Sequence, residues 1–249
     1  MILLLDVGNT RIKWAWHQAG WLRAMEAVVH RGQDLSAVLA QSLRAGVKPA
    51  RVVVANVAGV PAEVAIEQWS STYWGVRPEF VTSELFAHGV RNGYATPYQL
   101  GIDRWLGLVA ARISGAGSCC VVSCGTAVTV DALTGDGVHL GGAIAPGFCL
   151  MRDALNTGTA QVRAEPEELK IPALLADNTG DAVSAGIGYS LAGLVERAYR
   201  QLAQTQSTPP RCVITGGDAQ RLGSYLSIPH TQVADLVLRG LARVASVPK

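Results

Sequence analysis

The stretch LLDVGNTRI (residues 4–12) recurs in outline as VVSCGTAVT (121–129) when Gly8 is set on Gly125. Each copy reads as an apolar run, a small polar residue, a glycine, a hydroxyl-rich turn and an alternating strand. A repeat of this kind constrains the fold more than any compositional figure. It predicts two related units, each opening on a glycine hairpin.

The pattern around each copy supports that duplication. In the first half, Ile2–Leu5, Thr10–Trp16 and Trp21–Val29 read as strands, with Ile12, Trp14 and Trp16 alternating against Arg11 and Lys13. Leu35, Val38, Leu39 and Leu43 predict a helix over 34–43, Arg51–Val54 a buried strand, Pro61–Trp69 a helix, and Phe80 and Val81 a short strand. That order is β-β-β-α-β-α-β, half of an α/β molecule. Residues 82–101 are irregular, Trp105–Ile113 reads as a helix, and GAGS (115–118) breaks it. The pattern then restarts with strands over Cys119–Val122, Val128–Leu133 and Val138–Ala145. Residues 157–180 read as a mobile loop, Asp181–Leu202 as a long helix, Cys212–Ile214 as a strand and Ala234–Val244 as a final helix. The expected division is 1–114 and 115–249, two similar mixed-sheet domains whose hairpin turns face each other across a nucleotide cleft.

Composition removes several function classes. Of the 249 residues, 49% are hydrophobic and 16% charged, a globular balance. The formal net charge of +2 and the lack of any basic run argue against nucleic acid as a partner. No apolar stretch approaches the roughly 18 to 20 residues that span a bilayer, and no basic segment precedes Ile2–Leu5, so a soluble, cytoplasmic chain without a membrane partner is expected. The five cysteines show no CxxC spacing and read as reduced thiols, with neither a disulfide framework nor a zinc site. His17, His30, His88, His139 and His230 have no metal-ligand spacing and receive no role. Trp14, Trp16, Trp69, Trp74 and Trp105 read as core or interface residues.

The first hairpin carries chemistry as well as shape. A glycine in a tight turn lets backbone N–H groups approach a ligand closely. Asn9 and Thr10 add side-chain donors, and Lys13 adds positive charge. Asp6 ends the first strand, where it would repel phosphate unless a cation lies between them; it is suited to hold Mg²⁺ through water. Taken alone, the stretch is equally an ordinary β-hairpin with a Gly-Asn turn. The second turn, with Thr126, and TGGDA (215–219) after a buried strand shift the balance towards a metal–nucleotide site.

The segment NGYATPYQLGIDRWLGL (92–108), with DVGNTRIK, GTAVTVD, GGAIAPG (141–147), DNTGDAVSAG (177–186) and TGGDA, resembles the type III pantothenate kinases, also labelled Bvg accessory factors. The resemblance runs from residue 1 to about residue 243, with the motifs in the family's order. It implies the duplicated ribonuclease H-like (actin-like ATPase) fold of the acetate and sugar kinase/Hsp70/actin superfamily. It implies ATP-dependent phosphorylation of the primary hydroxyl of pantothenate, the first step of coenzyme A biosynthesis. The family's proton acceptor falls on Asp103, and its pantothenate contacts on Tyr94, Gly101, Ile102, Asp103, Arg104 and Thr179. Its ATP segment covers Asp6, Val7, Gly8, Asn9, Thr10, Arg11, Ile12 and Lys13, with Thr126 as a second contact and Gly216 and Gly217 beside the adenosine. Mg²⁺ at Asp6, a monovalent cation (K⁺ or NH₄⁺) and a homodimer are implied as well.

Read without that resemblance, Asp103 is a helix-dipole partner, Thr179 an N-cap and Tyr94 a packed loop residue. One position departs from the family: an aspartate that helps bind the monovalent cation is replaced by Ser123, a weaker cation ligand. Two other readings compete. One is a different small-molecule kinase or a phosphatase of the same superfamily, which should lack NGY…GIDRW. The other is a nucleotide-binding regulatory accessory protein without significant kinase activity.

Overall fold

A computed structural model describes residues 1–43, 47–162 and 171–247. Contacts divide the chain into two units, Met1–Ser114 with Asp235–Lys249, and Gly115–Ala234.

The first unit is built on β1 (Ile2–Val7), β2 (Arg11–Gln18), β3 (Trp21–Val29), β4 (Arg51–Asn56) and β5 (Glu79–Phe80), with α1 (Leu35–Ser42) and α2 (Val60–Trp74) between them. The sheet order is β3-β2-β1-β4-β5. The hairpins β1–β2 and β2–β3 are antiparallel, whereas β4 joins β1 in parallel and β5 joins β4 in parallel. Central β1 is buried along nearly its whole length, as its continuous apolar run requires. One face packs Leu3, Leu5, Val7, Ile12 and Trp14 against Leu39, Ile66 and Trp69 of α1 and α2. Trp105 is also buried, while Trp16 and Trp74 lie partly buried against the same core.

A small hairpin, β6 (Phe86–Ala87) and β7 (Val90–Arg91), leads through a 3₁₀ turn at Pro97–Gln99 into α3 (Ile102–Ile113). The helix starts three residues before the Trp105 that the periodicity marks, because Gly101 caps it and Ile102 is already buried.

The second unit repeats the plan. Its strands are β8 (Cys119–Cys124), β9 (Ala127–Leu133), β10 (His139–Pro146), β11 (Arg211–Thr215) and β12 (Thr231–Gln232), in the order β10-β9-β8-β11-β12. Two antiparallel hairpins followed by two parallel additions reproduce the first sheet strand for strand. The fold is therefore the duplicated ribonuclease H-like, actin-like fold. The helices of this unit are α4 (Phe148–Gly158), α5 (Thr179–Ala203) and α6 (Ala219–Tyr225), whereas α7 (Leu236–Ala245) belongs to the first unit. The core of this unit gathers Val122, Val128, Val130, Phe148, Leu191 and Ile214.

All five cysteines are free thiols. Burial pushes Cys119 up to about 11 and Cys124 and Cys212 up to about 12, so they serve as small protonated core residues.

The segment 157–180 contains the last two residues of α4 and the first two of α5, and its residues 163–170 lie outside the described residues. Helix α4 has no counterpart in the sequence reading.

Helix α7 packs on α3 and β1 of the first unit. The approach is close at one point: a Cβ on Gly240 would lie 2.1 Å from the Leu106 carbonyl oxygen. Gly240→Ala must push α7 off α3, and an expected cost of about 2–4 kcal/mol should appear in denaturant unfolding. An unfolding midpoint equal to that of the wild type would show that the helices separate freely.

Candidate active site

The β1–β2 register places Asp6 opposite Lys13 and Val7 opposite Ile12. Directly opposed residues share a face of the sheet. Val7 and Ile12 turn into the core, and Asp6 and Lys13 lie together on the other face. Between them the chain reverses through residues 8–11, where the Gly8 N–H donates to the Arg11 carbonyl at 3.0 Å. A Cβ on Gly8 would stand 3.2 Å from that same oxygen, a tight contact that explains the glycine. Asn9 and Arg11 at the tip are exposed, and Gly8 and Thr10 are half-buried.

Asp6 is buried, and burial raises its pKa from 3.8 to about 6. The charge of Lys13 opposes that rise, and the charge of Asp103 adds to it. Asp6 thus feels the charge of Asp103 although the two are far apart in the sequence.

Asp103 sits half-buried in the first turn of α3, where a carboxylate is favoured by the helix dipole. Its Oδ1 accepts from the Arg104 N–H at 2.8 Å. Gly101 makes room for it: a Cβ there would lie 2.8 Å from the same carboxylate oxygen. Ile102 anchors the turn in the core. The Arg104 side chain is buried, an expensive placement for a guanidinium that demands partners. Its Nη1 donates to the Tyr94 hydroxyl at 2.9 Å, and its guanidinium carbon lies 5.6 Å from the Tyr94 ring centroid. Buried Asn92 fixes the loop that carries Tyr94, accepting from the Tyr94 N–H at 3.0 Å and donating to the Pro97 carbonyl at 3.1 Å. Asp6, Lys13, Tyr94, Gly101, Ile102, Asp103 and Arg104 thus all belong to the first unit.

The second unit holds the matching turn. Cys124 pairs with Val128, so this hairpin is one residue shorter than the first. The Gly125 N–H donates to the Ala127 carbonyl at 3.0 Å. Gly147, from the GGAIAPG motif, donates its N–H to the Thr126 carbonyl at 2.9 Å, and a Cβ there would meet the Gly125 oxygen at 2.2 Å. Ser123 is half-buried, between Thr129 and Thr215 in register. Gly216 has φ of 105° and approaches Cys124 so closely that a Cβ would stand 2.0 Å from its carbonyl oxygen. Gly217 beside it is exposed. Asp131 turns away from the turn and pairs with His139 in the core at 2.9 Å.

Thr179 is exposed in the first turn of α5 and is not its cap. Asn178 is the cap, its side chain accepting from the Asp181 N–H at 2.9 Å. Thr179 also borders an apolar groove of about 1120 Å³ between α4 and α5, with Leu150, Leu155 and Ile187.

Sequence reading overlooked Asn92, Gly147 and His30 as supports of these turns. Asn92 and Gly147 stand inside quoted motifs, whereas His30 carries no local signal.

Each unit opens on a glycine hairpin and carries the same five-stranded plan, as the duplicated actin-like fold requires. The chain matches the family model of type III pantothenate kinase over residues 2–201. It is 42% identical over 250 residues to a type III pantothenate kinase of Nitrosococcus oceani, covering 98% of this chain and 94% of that one. A type III pantothenate kinase of Azoarcus sp. is 42% identical over 254 residues, covering 99% and 91%. Among solved structures, a Baf family protein from Campylobacter jejuni has the same fold, with a TM-score of 0.63 at 22% identity over 97% of this chain and 96% of that one. The chain belongs to the type III pantothenate kinases.

Proposed function

We propose that the chain transfers the γ-phosphoryl group of ATP to the primary hydroxyl of pantothenate, giving 4′-phosphopantothenate for coenzyme A synthesis. The observation that carries this reading is the placement of Asp103 beside the buried Arg104–Tyr94 pair, within electrostatic reach of Asp6.

Asp103 accepts the hydroxyl proton as the phosphoryl group moves. Arg104, pre-oriented by Tyr94, binds the anionic oxygens of pantothenate with its planar fork. Gly101, Ile102 and Thr179 complete the substrate contacts. Residues Asp6 to Lys13 hold the ATP phosphates, with backbone N–H groups of the turn and the Lys13 ammonium as donors. Thr126 is a further ATP contact, and Gly216 and Gly217 lie beside the adenosine.

The residues at Asp6 fit a divalent cation. A carboxylate whose ionisation is resisted by burial gains from a nearby positive charge. Among the described residues no three His, Cys, Asp or Glu side chains converge on one point, so Mg²⁺ at Asp6 would take its other ligands from phosphate and water. When bound, it neutralises phosphate oxygens. The monovalent site is weakened by Ser123, which offers a hydroxyl where a carboxylate would bind K⁺ or NH₄⁺ more strongly. The protein acts as a cytoplasmic homodimer; among the described residues no helix is long and apolar enough to cross a membrane.

The test is ADP release from Mg–ATP, followed with and without pantothenate and with and without K⁺. Release is expected only with pantothenate, and omission of K⁺ should change the rate by less than about threefold, because a neutral hydroxyl contributes little to a monovalent site. An absolute K⁺ requirement would show that backbone carbonyls rebuild the site around Ser123. Pantothenate-independent behaviour of the folded protein would favour the regulatory reading.

A further inference from the structure

His30 follows β3 and is only 9% exposed. It is tied to the first glycine hairpin at two carbonyls. Its Nε2 lies 2.7 Å from the Gly8 oxygen. Its backbone N–H donates to the Thr10 carbonyl at 2.9 Å, and the Arg31 N–H donates to the same oxygen at 3.3 Å. A carbonyl only accepts, so Nε2 carries the ring proton and the tautomer is set by this bond.

A trans peptide directs its carbonyl and the following N–H to opposite sides. Holding the Gly8 carbonyl towards His30 therefore aims the Asn9 N–H the other way, out of the turn at its exposed tip. That restraint opposes a flip of the Gly8–Asn9 peptide, a rotation taken up by ψ of Gly8 and φ of Asn9, residue types that both tolerate left-handed backbone angles.

We propose that His30 is a positioning residue for phosphate binding. Its imidazole locks the Gly8–Asn9 peptide so that the Asn9 N–H is presented, preorganised, to a phosphate oxygen of the nucleotide. This rests on the reading of the hairpin as the ATP turn. The bond spans 22 residues and uses a side chain outside every quoted motif.

Calorimetric titration of the full chain with Mg–ATP, and separately with pantothenate, tests it without relying on turnover. His30→Ala should weaken Mg–ATP about five- to tenfold, the loss of one partly buried hydrogen bond, with pantothenate affinity within about twofold of wild type. His30→Gln, whose amide donates to the same carbonyl, should restore Mg–ATP affinity to within about twofold. Leu39→Ala, a core variant outside the turn, controls for general destabilisation and should keep Mg–ATP affinity. If His30→Ala does not fold, His30→Phe keeps the ring bulk without the donor and carries the same expectation. Mg–ATP affinity unchanged in the donor-less variant, or lost equally in Leu39→Ala, would overturn the proposal. A wild-type chain that binds no Mg–ATP would instead remove the ATP reading of the hairpin itself.

Discussion

Asp103→Asn is expected to lower kcat by about 100-fold or more while Mg–ATP affinity stays within about twofold of wild type. A 100-fold loss corresponds to about 2.7 kcal/mol of transition-state stabilisation. The amide keeps the shape and still accepts the Arg104 N–H bond, so the first turn of α3 should persist. What it loses is the capacity to take a proton. The substitution also removes a negative charge that raises the pKa of Asp6, so the Asp6 pKa is expected to fall. A near-wild-type kcat would take Asp103 out of the base role, and a large loss of ATP affinity would reassign it to nucleotide binding.

Asp6→Asn should separate function from stability. For the reaction, kcat/KM for Mg–ATP is expected to fall about 100-fold, since the buried anion that attracts the cation is gone. For the ligand-free fold the sign is opposite. Burial raises the Asp6 pKa to about 6 from 3.8, so between those values the folded chain holds a proton that the unfolded chain has released. Stability therefore falls as pH rises through that window, and the cost is fully present above it. A shift of about two units is worth roughly 3 kcal/mol, of which Asn, itself a buried polar group, recovers a part. The variant should thus melt above the wild type at pH 7.5, and the difference should vanish below about pH 4. Equal destabilisation at both pH values would mean that the Asp6 charge is well compensated in the free protein.

Much of this was legible from sequence because the informative signals are local. The repeat around Gly8 and Gly125 foretold two sheets of one topology, and both have the same strand order. The alternation at Ile12, Trp14 and Trp16 marked β2, although Ala15 and His17 on its other face are buried as well. Helix α4 escaped notice although Phe148, Met151 and Leu155 have helical spacing; only Phe148 is buried, so no apolar stripe closes over a core. Strand β12 is two exposed residues with no pattern to read. Thr179 was weighed as a cap, but Asn178 holds that position; both are plausible by type, and only backbone geometry chooses. The convergence of Asp6 with Asp103, and of His30 with Gly8, depends on long-range packing that no short motif encodes.

The central claim is the identity of the transferred group and its acceptor. Purified protein should be given Mg–ATP and pantothenate, and the product resolved by mass and by phosphorus–proton coupling. The prediction is 4′-phosphopantothenate, one phosphate on the primary hydroxyl, formed in step with ADP. Unmodified pantothenate after ATP is consumed, or phosphate on the secondary hydroxyl, would contradict the account.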